Sequence, residues 1–252
     1  MGMTPSTAGI MTVVLHYGDP AMTEGLVRAM LADEPDARVQ VLDNHAPKPY
    51  SPAAPGFWER LPENVFWAGG LEHALRRARE SGHSHLWFLN NDIRFLTPGP
   101  QVARAAARLA YFSRICGRAV GIYSPCAQRN PYHAQMVVRE GVEGAVVAYV
   151  DGIAPLLDLE CVAAVGGLDC ADNPIGYGVE TWLGLRARQA GWPVAVDYKT
   201  VLKHSYHASA AREEGFLRRA AEHERVFMEK RLGPDWREQL TVLQGECVPF
   251  IA

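Results

Sequence analysis

Asn90, Asn91 and Asp92 follow directly on the apolar run Leu86, Trp87, Phe88 and Leu89. A carboxylate beside two amides can hold a hard cation and the phosphates that the cation neutralises. The same triplet also suits a turn after a strand, so its meaning depends on what else converges on it. Three further groups stand at the ends of expected elements: His16 with Tyr17, then Asp43, then Glu180 with His204. Polar residues placed repeatedly at the carboxyl ends of strands in one sheet meet in one crevice, where open α/β sheets bind their ligands.

The elements that must position these groups are readable from pattern. The run 86–89 has no alternation, as a strand buried on both faces of a parallel sheet requires. Residues 11–15 give a first strand. Asp19 and Pro20 then form an N-cap with proline at the first helical position, and Met22, Leu26 and Met30 recur every fourth residue to about residue 32. Residues 39–42 form a second strand. The stretch 47–62 holds five prolines and is expected to be irregular. A third strand is expected at 64–67, a helix at 71–80, a helix at 98–116 and a strand at 120–123. The segment 134–150 reads as a hairpin.

A short helix at 159–165 closed by Gly166-Gly167 follows, then a helix at 179–190 and two short strands at 194–196 and 200–202. Ser209 is expected to cap a last long helix bearing Phe216, Ala220 and Phe227, which Gly233-Pro234 stops.

Composition narrows the classes. With 252 residues, 48% apolar and 21% charged, the chain can bury a substantial core. A formal net charge of -3 argues against binding to nucleic acid through bulk electrostatics. The five cysteines are odd in number and form no CxxC pair, so reduced thiols are expected rather than disulfides or a zinc ribbon. The first residues carry no basic cluster before an apolar core and no apolar stretch reaches membrane-spanning length. A cytoplasmic protein without a membrane span is the expectation, and a homo-oligomer is compatible with it.

Taken in order, the motifs resemble those of nucleotide-sugar-dependent glycosyltransferases with the GT-A fold, closest to glycosyltransferase family 2, over roughly residues 11–207. VVLHYGDP resembles the family's first strand ending, with Tyr17 at the tyrosine. VLDNHA resembles its strand ending in Asp-Asn, FLNNDIRF its DXD-type motif, VGGLD its Gly-Gly-Phe-Asp turn, and GYGVETWLGLRARQAGW its Gly-Glu-Asp helix. The resemblance implies an α/β fold: a Rossmann-like, mostly parallel mixed sheet flanked by helices, with a C-terminal acceptor-side region and a long terminal helix. It implies one domain over 1–252, with a nucleotide half at about 10–123, an acceptor half at about 124–232 and a tail at 233–252.

It assigns His16, Tyr17, Asp43, Asn90 and Asn91 to the nucleotide, with Asp43 on the base. Asp92 and His204 become ligands of Mn2+ or Mg2+, with His207 a neighbouring rival, and Glu180 stands where the family has its base. Asp151 is open between touching the donor sugar and ending a strand. The chain departs from the family at Asn90, in place of the first aspartate of DXD, and at Val179, inside the Gly-Glu-Asp motif.

The implied chemistry is coherent. A cation bridging two phosphates stabilises the charge on a departing nucleoside diphosphate, and histidine tilts the choice toward manganese. An acceptor hydroxyl needs a base as it attacks, and one base opposite the leaving group implies inversion. At a helix start, the dipole favours an ionised Glu180 while burial opposes it. The partners implied are a nucleotide-sugar donor and a small-molecule or glycan acceptor, with no nucleic acid. A sugar-phosphate nucleotidyltransferase is the alternative enzyme, but HYGDPAM lacks the glycine-rich, arginine-bearing loop of that class. A non-catalytic binding domain is the other alternative, and alanine- and arginine-rich usage suggests a bacterial source.

Overall fold

The computed structural model describes residues 7–52, 57–206 and 214–251. Ser209 and His207 lie outside the described residues. Ten strands form one mixed sheet: β1 (Ile10–His16), β2 (Val39–Asp43), β3 (Phe57–Arg60), β4 (His85–Asn90), β5 (Ile93–Phe95), β6 (Ile122–Ala127), β7 (Val142–Val146), β8 (Leu156–Asp158), β9 (Val194–His204) and β10 (Val248–Ile251). The order is β10-β7-β9-β6-β8-β4-β1-β2-β3, with β5 paired to β9. Strands β1, β2, β3 and β4 pair in parallel, and β6 runs parallel to β9. Helices α1 (Pro20–Asp33), α2 (Phe66–Glu80), α3 (Gln101–Cys116), α4 (Leu159–Ala164), α5 (Val179–Gln189), α6 (Phe216–Leu232) and α7 (Trp236–Gly245) complete the fold.

Two buried clusters hold it together. One contains Val13, Leu71, Leu75 and Phe88; the other contains Val14, Leu26, Met30, Trp87 and Leu89. Successive residues of β1 and of β4 thus go to opposite clusters, because strand side chains alternate between faces. This is why 86–89 could be apolar without interruption, and it fixes Asn90 as the first residue to leave the core.

Several boundaries differ from the expectation. The segment 64–67 is not a strand but the entry to α2: Phe66 N donates to Asn64 Oδ1 and Val65 N to Asn44 Oδ1, both at 2.9 Å. Ala68, Leu71, Ala74, Leu75 and Ala78 then bury at helical spacing. The third strand is instead β3, inside the proline-rich stretch. It is an edge strand whose four residues contain no proline, so it needs partners on one side only.

The segment 134–150 holds one strand, β7, after a 3-10 turn at Ala134–Met136. It finds its partners in β9 and β10 rather than in a hairpin. The two short strands after 194 are one, because Asp197 interrupts the apolar run without ending the strand. Asp197 is fully buried and accepts hydrogen bonds from Arg108, Tyr123, Thr200 and the Lys199 amide. The tail at 233–252 carries α7 and β10. All five cysteines are free, and no described helix is long and apolar enough to cross a membrane.

Candidate active site

Strands β1 and β4 end side by side, with Leu15 opposite Asn90, and the chain turns through Asn91 and Asp92 into β5. Strand β5 runs antiparallel to the end of β9, placing Ile93 opposite His204. That pairing carries Asp92 to His204: Asp92 Oδ1 lies 2.9 Å from His204 Nε2, and Ser205 N donates to Asp92 O at 3.0 Å. Asn91 Nδ2 donates to Thr23 Oγ1 at 2.9 Å and to Tyr17 O at 3.3 Å, which ties the turn to the end of β1 and to α1.

These residues border a cleft of about 870 Å³ that Tyr17, Asn90, Asn91, Asp92, Asp151, Glu180 and His204 all line. Residues far apart in sequence therefore meet in one cavity. Adjacent ligands of an octahedral ion bound at ~2.1 Å stand roughly 3 Å apart, and the Asp92–His204 spacing matches that. His204 Nδ1 is buried without a partner. The pair thus fits a divalent cation in donor type and separation.

Glu180 lines the same cavity from the first turn of α5. The turn before it needs its glycines. Gly176 and Gly178 have φ of +104° and +82°, and a Cβ on Gly176 would sit 2.9 Å from the Ala68 amide nitrogen. Burial, reinforced by the nearby charge of Asp151, pushes the Glu180 carboxyl up to about 8 against the pull of backbone N–H groups at the helix start. Burial outweighs the dipole here. His133, Asp151 and Glu180 also bring one ligand atom each within 4.8 Å of one another, and Asn130 Nδ2 donates to Asp151 Oδ2 at 2.8 Å.

Two expected nucleotide contacts stand behind the cavity instead of in it. His16 is fully buried, with Nδ1 2.7 Å from Thr23 Oγ1 and Nε2 2.9 Å from Lys48 O. It joins α1 to the loop after β2. Asp43 is likewise fully buried, and its carboxylate accepts from the amides of Ala46 and Tyr50 and from Arg60 Nη1. It has no surface left for a base; its neighbour Asn44 lines the cavity.

Asp43→Ala is therefore expected to cost about 2–4 kcal/mol of stability, less than a fully buried pair because Arg60 reaches water. Denaturant unfolding would show this as a lower midpoint. A midpoint at the wild-type value would return Asp43 to ligand binding.

Other lining residues were not among the expected ones: Asn44, Asn64, Phe66, Trp67, Tyr132, His133, Tyr177, Phe216, Glu224 and Trp236. Phe66 has φ of +56°, rare for a bulky residue. Asn44 and Asn64 hold it there: Asn44 Nδ2 donates to Asn64 Oδ1 at 2.9 Å and to Phe66 O at 3.1 Å. Asn44 was visible as the second residue of the Asp-Asn ending. Phe216, Glu224 and Trp236 gave no such signal, since they reach the cavity from helices far along the chain.

No family model matches the chain. Uncharacterized proteins of Mycobacterium tuberculosis and Mycobacterium bovis are 32% identical over 145 residues, 56% of this chain and 54% of each relative. The chain thus spans about half the length of the curated relatives it matches.

Among solved structures, GalNAc-T7 with UDP, GalNAc and Mn2+ superposes with a TM-score of 0.58 at 11% identity, covering 77% of this chain and 43% of that one. The mannosyltransferase PcManGT of Pyrobaculum calidifontis, in complex with GDP-Man and Mn2+, gives 0.55 at 13% identity over 94% of this chain and 75% of that one. TarS of S. aureus with UDP-GlcNAc gives 0.52 at 11% identity over 88% and 74%. At such identities the likeness establishes the fold, an α/β architecture shared with GT-A glycosyltransferases.

Proposed function

We infer that the chain is a family 2-like glycosyltransferase that moves a sugar from a nucleotide diphosphate donor to a hydroxyl acceptor with inversion. The observation that carries this reading is that the Asp92–His204 pair and Glu180 line one cavity. On this reading 1–252 works as one unit, with the donor seated by about 10–123 and the acceptor by about 124–232.

Asp92 and His204 would hold Mn2+ or Mg2+, and the chemistry such an ion supplies is neutralisation of charge on the leaving diphosphate. Tyr17, Asn90 and Asn91 border the nucleotide, and Asp151 borders the donor sugar. Glu180 Oε takes the proton of the acceptor hydroxyl as its oxygen bonds to the anomeric carbon. The bond from that carbon to phosphate oxygen breaks on the opposite face, and the electron pair leaves with the diphosphate.

Thermal shift with UDP-, GDP- and other nucleotide sugars, with and without manganese, tests the reading, because bound donor stabilises by mass action. A manganese-dependent rise with one donor supports it, and donor turnover separates an enzyme from a binding domain. No rise with any donor would sink it.

His204→Ala is expected to weaken manganese binding by at least about 10-fold, as loss of an ion's supporting groups does. Nucleotide affinity measured without metal should change less. Equal manganese dependence in both proteins would make His204 structural.

A further inference from the structure

This inference rests on the transferase reading and concerns how its cation site is held in shape. His204 is the last residue of β9, and pairing with Ile93 fixes its backbone. Backbone pairing does not set the imidazole, which still turns about its side-chain bonds. A histidine that ligates a metal through one ring nitrogen is almost always oriented by a hydrogen bond from the other. His204 lacks that support, because its Nδ1 is buried and has no hydrogen-bond partner among the described residues. Nε2 lies 2.9 Å from Asp92 Oδ1, but Nε2 is the nitrogen assigned to the cation. That contact therefore does not orient the ring once the nitrogen serves as a ligand.

Tyr206, which also lines the cavity, supplies a different support. Its ring centroid lies 4.2 Å from that of His204, with the planes at 67°. Aromatic pairs usually stand ~4.5–7 Å apart, so these two rings are in close contact. The imidazole cannot turn far without displacing the phenol.

Tyr206 is itself held. Its hydroxyl donates to Arg129 O at 3.3 Å, and its ring packs edge-on against Tyr132 at 5.7 Å. Both neighbours belong to the loop after β6. Gln128 N donates to Leu202 O at 2.7 Å, which fastens the start of that loop to β9. The buried Asn130 braces the rest: Oδ1 accepts from the amides of Tyr132 and His133, and Nδ2 donates to Asp151 Oδ2. The phenol is thus wedged between a braced loop and the imidazole.

We propose that Tyr206 is a positioning residue, whose ring, and not its hydroxyl, sets the His204 imidazole so that Nε2 is presented beside Asp92. The ring contact takes the place of the missing hydrogen bond at Nδ1.

Calorimetry with manganese alone, on the full chain as wild type, Tyr206→Phe and Tyr206→Leu, tests the proposal. Tyr206→Leu should weaken manganese binding about 10–100-fold, the effect of removing the group behind a metal ligand. Tyr206→Phe should stay close to wild type. Nucleoside diphosphate affinity without metal should be the same in all three, and Tm shows that each is folded. Should Tyr206→Leu fail to fold, Tyr206→Met keeps the bulk without the ring. A second readout needs no metal. The His204 ring protons, identified by their loss in His204→Gln, should be shifted from the ordinary histidine range by the neighbouring ring in wild type and Tyr206→Phe. They should return to that range in Tyr206→Leu.

Wild-type manganese affinity in Tyr206→Leu overturns the proposal. So does a Tyr206→Phe variant as weak as Tyr206→Leu, since the hydroxyl would then be the working group. If His204→Ala loses manganese while Tyr206→Leu keeps it, the cation site stands and the role of Tyr206 alone is refuted. A wild type that binds no manganese refutes the cation reading, and the proposal falls with it.

Discussion

Asp92→Ala should abolish manganese-dependent nucleoside diphosphate binding and leave the protein folded. The side chain contributes one carboxylate to the cavity and one contact, 2.9 Å to His204. The turn does not depend on that side chain, because Ser205 N bonds to the Asp92 carbonyl and Ile93 stays paired with His204. What is lost is the one carboxylate of the proposed cation site. A diphosphate entering a cleft that Asp151 also lines then meets like charge with nothing to offset it. In the wild type, ligand at a hundred times its Kd should add about 2.7 kcal/mol of stability. In the variant that gain should vanish with manganese present, while the unliganded transition stays in place. Unchanged affinity by calorimetry would show that Asp92 is not a ligand and would remove the metal from the proposed site.

How far the sequence reaches is clear from particular residues. Strand β4 was legible because an unbroken apolar run can be buried on two faces, and its polar ending then had to meet the end of β1. The pairing of Asp92 with His204 was legible only through a family pattern, since 111 residues of intervening chain say nothing about β5 lying against β9. His16 and Asp43 were misplaced for one reason. A polar residue at a strand end can face the crevice or hold the loop that builds its wall, and both types of position select the same side chains. Asp43 does the second, through Arg60 and two amides. Segment 64–67 misled because Val65, Phe66 and Trp67 have strand propensity, while two asparagine side chains impose the helix entry. Glu224 and Trp236 sit on α6 and α7, amid sequence that resembles any surface helix. Only packing brings them to the cavity.

Glu180→Gln should reduce kcat by about 10²–10⁴-fold, the contribution of a positioned base, with donor affinity close to wild type. Glutamine keeps the length and hydrogen-bonding reach but cannot take a proton. With its carboxyl pushed up to about 8, Glu180 is mostly protonated at neutral pH in the unliganded protein. In the wild type, kcat/KM should therefore rise through the acidic limb of its pH profile toward 8, because only the ionised form accepts the acceptor's proton. The variant should lose that limb.

Stability should move the other way. The folded state holds this proton more tightly than an unfolded chain does. The resulting stabilisation is fully present below the ordinary glutamate value and is lost as pH rises through about 8. Tm of the wild type should thus fall across that window more steeply than Tm of Glu180→Gln, and the variant should be the more stable protein at alkaline pH. The product's anomeric configuration, read by NMR, should be opposite to that of the donor, since one base faces the side away from the leaving group. Retained configuration, or near-normal turnover in the glutamine variant, would refute Glu180 as the base. A variant with the same pH-dependent loss of stability as the wild type would show that Glu180 does not carry the shifted proton, and would move the search for the base to Asp151 and Glu224 on the same wall.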